Sequence, residues 1–259
     1  MPDKSTELML DVKDLIVRYK TKVAVDGVSF SINTKEIFGL LGPNGAGKTS
    51  ILGAIEGLVK AQSGTISVNG LDASKKPLEV KDYLGVQLQF TSFQPELTIF
   101  QIVKLYAALY GITFTKEEII SALTSINLQD EANKRFKQLS GGQQQRVSLL
   151  IATIHNPLLV LLDEPTSGLD PQSRRQLWDR IETMKKDNRS ILLTTHSMEE
   201  AQSVCDRVAI IDTGKIVVID TPSNLIETYK DDPRVTAVSH GQVTLEDVFI
   251  ALTGNRLRD

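Results

Sequence analysis

Apolar residues along this chain follow two alternating rhythms. Short β-branched or aliphatic runs occupy positions 14–19, 28–32, 37–41, 65–68, 84–88, 158–162, 191–195, 208–212 and 215–219, and each predicts a strand. The runs at 158–162 and 191–195 carry no charged residue, as expected for central parallel strands covered on both faces. Thr213-Gly214, between two apolar runs, reads as a hairpin turn, and Asn69-Gly70 as a further turn.

Between these runs lie segments with helical spacing, and several announce their start. Thr98-x-x-Gln101 forms a capping box ahead of Ile102, Leu105, Tyr106 and Leu109, with Gly111 as the stop. Thr115-x-x-Glu118 precedes Ile119, Leu123 and Ile126, and Ser140-x-x-Gln143 precedes Val147, Leu150, Ile151 and Ile154. Asp170-Pro171 joins an N-cap to a proline at the first helical position, before Leu177, Ile181 and Met184. Ser197-x-x-Glu200 and Thr244-x-x-Asp247 open two more helices, the last with Leu245, Val248, Phe249 and Leu252 on one face. The alternation predicts an α/β fold, and the helix-rich block of about 95–154 reads as an insertion in it. Residues 230–234 read as a polar linker, which would divide a domain at 1–229 from a short extension at 230–259.

Composition changes this picture only by exclusion. A chain of 259 residues, 41% hydrophobic, is apolar enough for a full core and fits one elaborated domain. A net charge of −3 argues against a strongly basic nucleic-acid binder, so no nucleic-acid partner is expected. The single cysteine, Cys205, cannot form an intrachain disulfide and suits a reducing cytosol. The first residues hold no apolar signal core, and the longest aliphatic run, 158–162, is far short of the roughly 20 residues that span a bilayer. The chain is expected not to cross a membrane by itself.

The chemistry lies in three strings. Gly42, Pro43, Asn44, Gly45, Ala46, Gly47, Lys48 and Thr49 match G-x-x-x-x-G-K-[ST] in full, after a predicted strand and before a helical face opening at Ser50 and Ile51. Glycines there let backbone N–H groups converge on phosphate oxygens, and the following helix aims its positive end at the same anion. Lys48 adds a point charge for the β- and γ-phosphates, and Thr49 offers a hydroxyl to Mg²⁺. Asp163-Glu164 ends the apolar run 158–162, where α/β folds bind ligands. One carboxylate, Asp163, can hold Mg²⁺ while Glu164 orients and deprotonates an attacking water. Third, Leu139-Ser140-Gly141-Gly142-Gln143 makes a donor-rich helix N-terminus, a second anion site.

With these strings in this order, the sequence resembles the ATP-binding-cassette (ABC) ATPases over nearly its whole length. By that resemblance Tyr19 is the aromatic that stacks on adenine, and Gln89 is the glutamine that senses the γ-phosphate and Mg²⁺, with Gln87 as the competing position in the same strand. It likewise makes Leu139 to Gln143 the signature, Asp163-Glu164 the Walker B end, Ser167 to Asp170 the D-loop, and His196 the switch histidine. Tyr19 can also be read as a half-buried strand tyrosine. His155, His240, Cys205 and Trp178 have no motif around them and read as packing or surface residues.

The resemblance implies a P-loop NTPase with a RecA-like core, an antiparallel β-subdomain and an inserted helical subdomain. It also implies a dimer, with a second copy or a homologous ATPase subunit, that has two ATP-Mg²⁺ sites, each taking Lys48, Thr49, Gln89, Asp163, Glu164 and His196 from one chain and Ser140 and Gly142 from the other. The single cassette and the short interval between Thr49 and Ser140 favour the energising subunit of a transporter, held on the inner face of the cell membrane by a permease. The tail Thr244 to Gly254 resembles that of ATPases serving type-2 exporters of drugs, antibiotics, lipids or polysaccharides; an importer is the alternative, and behind it a non-transport ABC ATPase acting on ribosomes or DNA. Phe90, Phe93 and Leu97 are candidates for the permease contact or for core.

Overall fold

The computed structural model describes residues 7–87 and 93–254. Along the chain run β1 (Leu8–Tyr19), β2 (Lys22–Asn33), β3 (Ile37–Leu41), α1 (Lys48–Ile55), β4 (Ser63–Val68), β5 (Leu71–Asp72), α2 (Pro77–Asp82), β6 (Leu84–Gln87), α3 (Ile99–Leu109), α4 (Lys116–Thr124) and α5 (Gly141–Ala152). There follow β7 (Leu159–Asp163), α6 (Pro171–Lys186), β8 (Ser190–Thr195), α7 (Met198–Val204), β9 (Arg207–Asp212), β10 (Lys215–Asp220), α8 (Pro222–Tyr229), α9 (Pro233–Thr236) and α10 (Leu245–Thr253).

Two sheets carry the strands. One has the order β2-β1-β4-β5 and is antiparallel. The other has the order β10-β9-β3-β8-β7-β6, parallel from β9 to β6 with β10 as an antiparallel edge. Side chains of the parallel strands divide by face, as a period of two requires. Phe38, Leu40, Leu159, Leu161 and Leu192 join the β1–β2 residues and α1 in one core. Ile37, Leu41, Val160, Leu162, Ile191 and Leu193 face α6, α7 and α10 in a second. The expectation of strands buried on both faces is met, since β3, β7 and β8 are buried at every position.

The helical insertion has its own core of Phe93, Ile99, Ile102, Val103, Ile119, Leu123, Phe136 and Val147. Phe93 is core there, edge-on to Tyr106 and Phe136, and Leu97 packs against the same cluster. Phe90 lies outside the described residues. The capping boxes foreseen at Thr98, Thr115 and Ser140 form. Of the two further helix starts, Thr244 makes a full box, whereas at Ser197 only the bond from Glu200 N to Ser197 Oγ forms. Residues 230–234, read as a polar linker, include the Asp232 cap and first turn of α9, which buries Val235.

Candidate nucleotide site

Strands β3, β8 and β7 are neighbours, and their carboxyl ends lead into Gly42, His196 and Asp163-Glu164. The motif residues therefore meet beyond one edge of the sheet, around an open cleft of about 570 Å³. Tyr19, Lys22 and Ala24 line it from β1 and β2; Pro43, Asn44, Gly45, Gly47, Lys48, Thr49 and Ser50 from the loop and α1; Glu164, Ser167 and His196 from the strand ends. Tyr19 is 47% exposed, so it is available to a ligand rather than held in the core.

The phosphate loop is shaped by what surrounds it. Gly47 caps α1 in the left-handed region at φ 110°, and a Cβ there would stand 2.5 Å from the Ala24 carbonyl. Among the described residues no side chain caps α1, so none of them competes for its first N–H groups as a capping acceptor. The Thr213-Gly214 hairpin turn braces the loop from behind, with φ of 46° and 78° at its two central residues. Gly214 N donates to Ala46 O at 2.9 Å, and Gly214 O accepts from Asp26 N at 2.8 Å.

The two acidic residues have opposite surroundings. Asp163 is 3% exposed. Its Oδ2 accepts from Thr49 Oγ1 at 3.1 Å and its Oδ1 from Thr194 Oγ1 at 2.6 Å. Thr194 Oγ1 in turn accepts from Glu164 N at 2.9 Å. Glu164 sits at φ 46°, a conformation that costs a non-glycine residue about 1–3 kcal/mol. That turn places Glu164 Oε1 3.5 Å from Lys48 Nζ and Oε2 3.3 Å from His196 Nδ1. Lys48 is 5% exposed and donates to Gly42 O at 2.7 Å and Pro43 O at 3.3 Å. Burial pushes its ammonium pKa down, against the opposing pull of the Glu164 and Asp163 charges.

No group of three or more His, Cys, Asp or Glu side chains among the described residues could hold a metal by itself. The hard oxygens of Thr49 and Asp163, 3.1 Å apart, instead form the partial donor set that Mg²⁺ takes when substrate phosphates supply the rest.

The remaining predicted residues lie elsewhere. Ser140 caps α5, accepting from Gln143 N at 3.3 Å while its own N–H donates to Gln143 Oε1 at 2.9 Å. Ser140 and Gly141 are exposed, and neither they nor Gly142, Gln143 and Asp170 line the cleft. Asp170 caps α6, and bonds from Ser173 and Gln172 hold its carboxyl below the usual range. Gln89 lies outside the described residues. Gln87, its competitor, is 2% exposed on β6, and neither amide atom has a hydrogen-bond partner among the described residues.

Ser167, the first residue of the D-loop string, does line the cleft, whereas sequence reasoning gave no role to Lys22, Ala24 or Thr194. Only Thr194 left a signal: a hydroxyl near the end of a buried strand needs a partner, and here it bridges Asp163 and Glu164.

The ABC transporter family pattern matches residues 25–167. This chain belongs to that family. Among its relatives is the Nod factor export ATP-binding protein I of Burkholderia orbicola (strain AU 1054), 31% identical over 96% of this chain and 98% of the relative. Another is the linearmycin resistance ATP-binding protein LnrL of Bacillus subtilis (strain 168), 35% identical over 90% of this chain and 76% of the relative. A solved ATP-binding subunit of an ABC transporter superposes with a TM-score of 0.81 at 26% identity, over 94% of this chain and 99% of the other. A dimeric ATP-binding cassette, in a post-hydrolysis state bound to ADP and Pi, gives 0.74 at 25% identity, over 82% and 98%. The chain is an ABC ATPase with the α/β P-loop fold of that family.

Proposed function

We propose that this ATPase drives export through a separate membrane subunit, closing as a dimer on two ATP molecules and parting after hydrolysis. The observation that carries the reading is the Lys48–Glu164–His196 cluster beside the phosphate loop, while the signature at the start of α5 stands outside the same cleft. A donor-rich surface with no anion of its own fits a partner's γ-phosphate, completing one site from two chains. The export direction is supported by the names of the Nod factor and linearmycin resistance relatives. No described helix is long and apolar enough to cross a membrane, so a permease would hold the chain at the inner face.

In this reading Tyr19 stacks on the base, and the loop from Gly42 to Ser50 wraps the phosphates. Lys48 is poised to exchange its contacts with Gly42 O and Pro43 O for phosphate oxygens. Thr49 and Asp163, with Gln89, would hold Mg²⁺, which supplies charge neutralisation on the phosphates when bound. Glu164 accepts the proton of the attacking water. His196, next to the Glu164 carboxylate, orients it and the γ-phosphate.

Glu164→Gln tests this directly. The amide keeps the shape and loses the base, so hydrolysis should fall by about 10²–10⁴ while ATP binding persists. The variant should accumulate as a dimer on size exclusion with ATP, and near-normal turnover would sink the assignment.

A further inference from the structure

Glu200 lies at the third position of α7, where a capping box would turn its carboxylate back to the N–H of Ser197. It does not turn back. Ser197 Oγ accepts from Glu200 N at 3.3 Å, but Ser197 N donates to Thr195 Oγ1 at 2.9 Å instead. The Glu200 carboxylate reaches into the protein, and the residue is 5% exposed. Its Oε2 accepts from Thr166 Oγ1 at 2.7 Å and Thr195 Oγ1 at 3.2 Å. Its Oε1 stands 3.2 Å from Arg174 Nε, an ion pair without the alignment of a hydrogen bond.

These three partners come from three places that matter to the reaction. Thr166 follows Glu164 by two residues, Thr195 directly precedes His196, and Arg174 is in the first turn of α6. A buried carboxylate is costly unless it is paired and hydrogen-bonded, so the fold holds all three around it. A small cavity of about 150 Å³ beside Glu200 is also lined by Glu164 and His196, which places the cluster against the reacting groups.

The start of α5 touches the chain neighbours of two of these partners. A Cβ on Gly142 would collide with Ser173 Oγ, one residue before Arg174. Gln145 Nε2 donates to Pro165 O at 2.6 Å, one residue before Thr166. Gly142 of the signature thus abuts the residue before Arg174, and Gln145, one turn of α5 further in, holds the residue before Thr166.

We propose that Glu200 is a positioning residue that ties the signature end of α5, through Arg174 and Thr166, to the Glu164–His196 pair, so that ATP held by the signature in one composite site sets the geometry for hydrolysis in the other. This rests on the dimer reading above. It adds to that reading a physical link between the two sites within each chain.

The test is steady-state hydrolysis against ATP concentration for the full chain as wild type, R174A, R174K, E200Q and the R174A/E200Q double variant, with nucleotide affinity and thermal melting measured alongside. R174A and E200Q should each lower kcat by about 10- to 100-fold, the scale of a small misplacement at a distance. Affinity for nucleotide should hold, cooperativity in ATP should vanish, and R174K should recover part of kcat. The double variant should be no worse than the weaker single one, because both break one link. Should E200Q fail to fold, R174A and R174K decide alone, since the Arg174 side chain is 41% exposed. Wild-type kcat and cooperativity in R174A, additive losses in the double variant, a non-cooperative wild type, or kcat losses that track a fall in melting temperature would each overturn the inference. A wild type that does not hydrolyse ATP, with a Glu164→Gln variant that does not dimerise, would instead overturn the functional reading itself.

Discussion

Glu56 closes α1 as a buried carboxyl whose Oε1 has no hydrogen-bond partner among the described residues. Burial first, and the Asp163 charge second, push its pKa up to about 7 from an ordinary 4.5. The folded chain therefore holds this proton more tightly than the unfolded one, and stability falls as pH rises from 4.5 through 7, then levels off. Glu56→Gln should remove that slope and leave the protein about 2 kcal/mol more stable than wild type at pH 8, after allowance for partial solvent screening. Thermal melts of both proteins at pH 5 and pH 8 check it; parallel shifts at the two values would contradict it. At this scale the sequence was informative about residue types and silent about conformation. Asp163 and Glu164 read as an acidic pair at a strand end, yet nothing in their identity foretells that one is locked by two hydroxyls while the other is swung by φ 46° onto Lys48 and His196.

Among the elements, those with explicit start signals were legible, because a cap is a local interaction. The capping boxes at Thr98, Thr115 and Ser140 form as read, and helices start at Thr244 and Ser197 too, although Glu200 leaves the box at Ser197 half made. Strands β1 and β2 extend well beyond the apolar runs at 14–19 and 28–32, since their backbone pairing continues through Asp11, Lys13 and Asp26 whatever those side chains are. Helices α2, α8 and α9 are short, with too few turns for a periodicity, although Thr221-Pro222 and Asp232-Pro233 carry the same cap-and-proline signal as Asp170-Pro171. Two caps separate structure from function. Thr115→Ala and Ser140→Ala should each lower stability by about 1 kcal/mol, the ordinary worth of an N-cap. Only Ser140→Ala should also weaken ATP-driven dimerisation of the Glu164→Gln background, read by size exclusion; equal dimerisation in both would leave Ser140 a cap and nothing more.

For the whole molecule, the order of the parallel strands matters most, and it was not readable from the chain. That β8 lies between β3 and β7 is a product of chain crossover, and it is what brings Gly42, His196 and Asp163 to one edge. The C-terminal helix belongs to this frame. Leu245 and Phe249 of α10 are fully buried in the core formed by α7, α8 and the sheet. Phe249→Ala should cost about 3–5 kcal/mol in urea denaturation, as for a buried aromatic anywhere in a core; a loss below 1 kcal/mol, the scale of a surface substitution, would mean that α10 adds little.

Gly214 has a consequence at this scale as well. Its N–H is bonded to the phosphate loop and its carbonyl to β2, the strand that lines the cleft next to Tyr19. One residue therefore ties the β2 side of the cleft to the loop side by backbone hydrogen bonds alone. Two such bonds together are worth about 1–3 kcal/mol, so drawing the loop away from β2 costs that much more than moving a wall that lacks them.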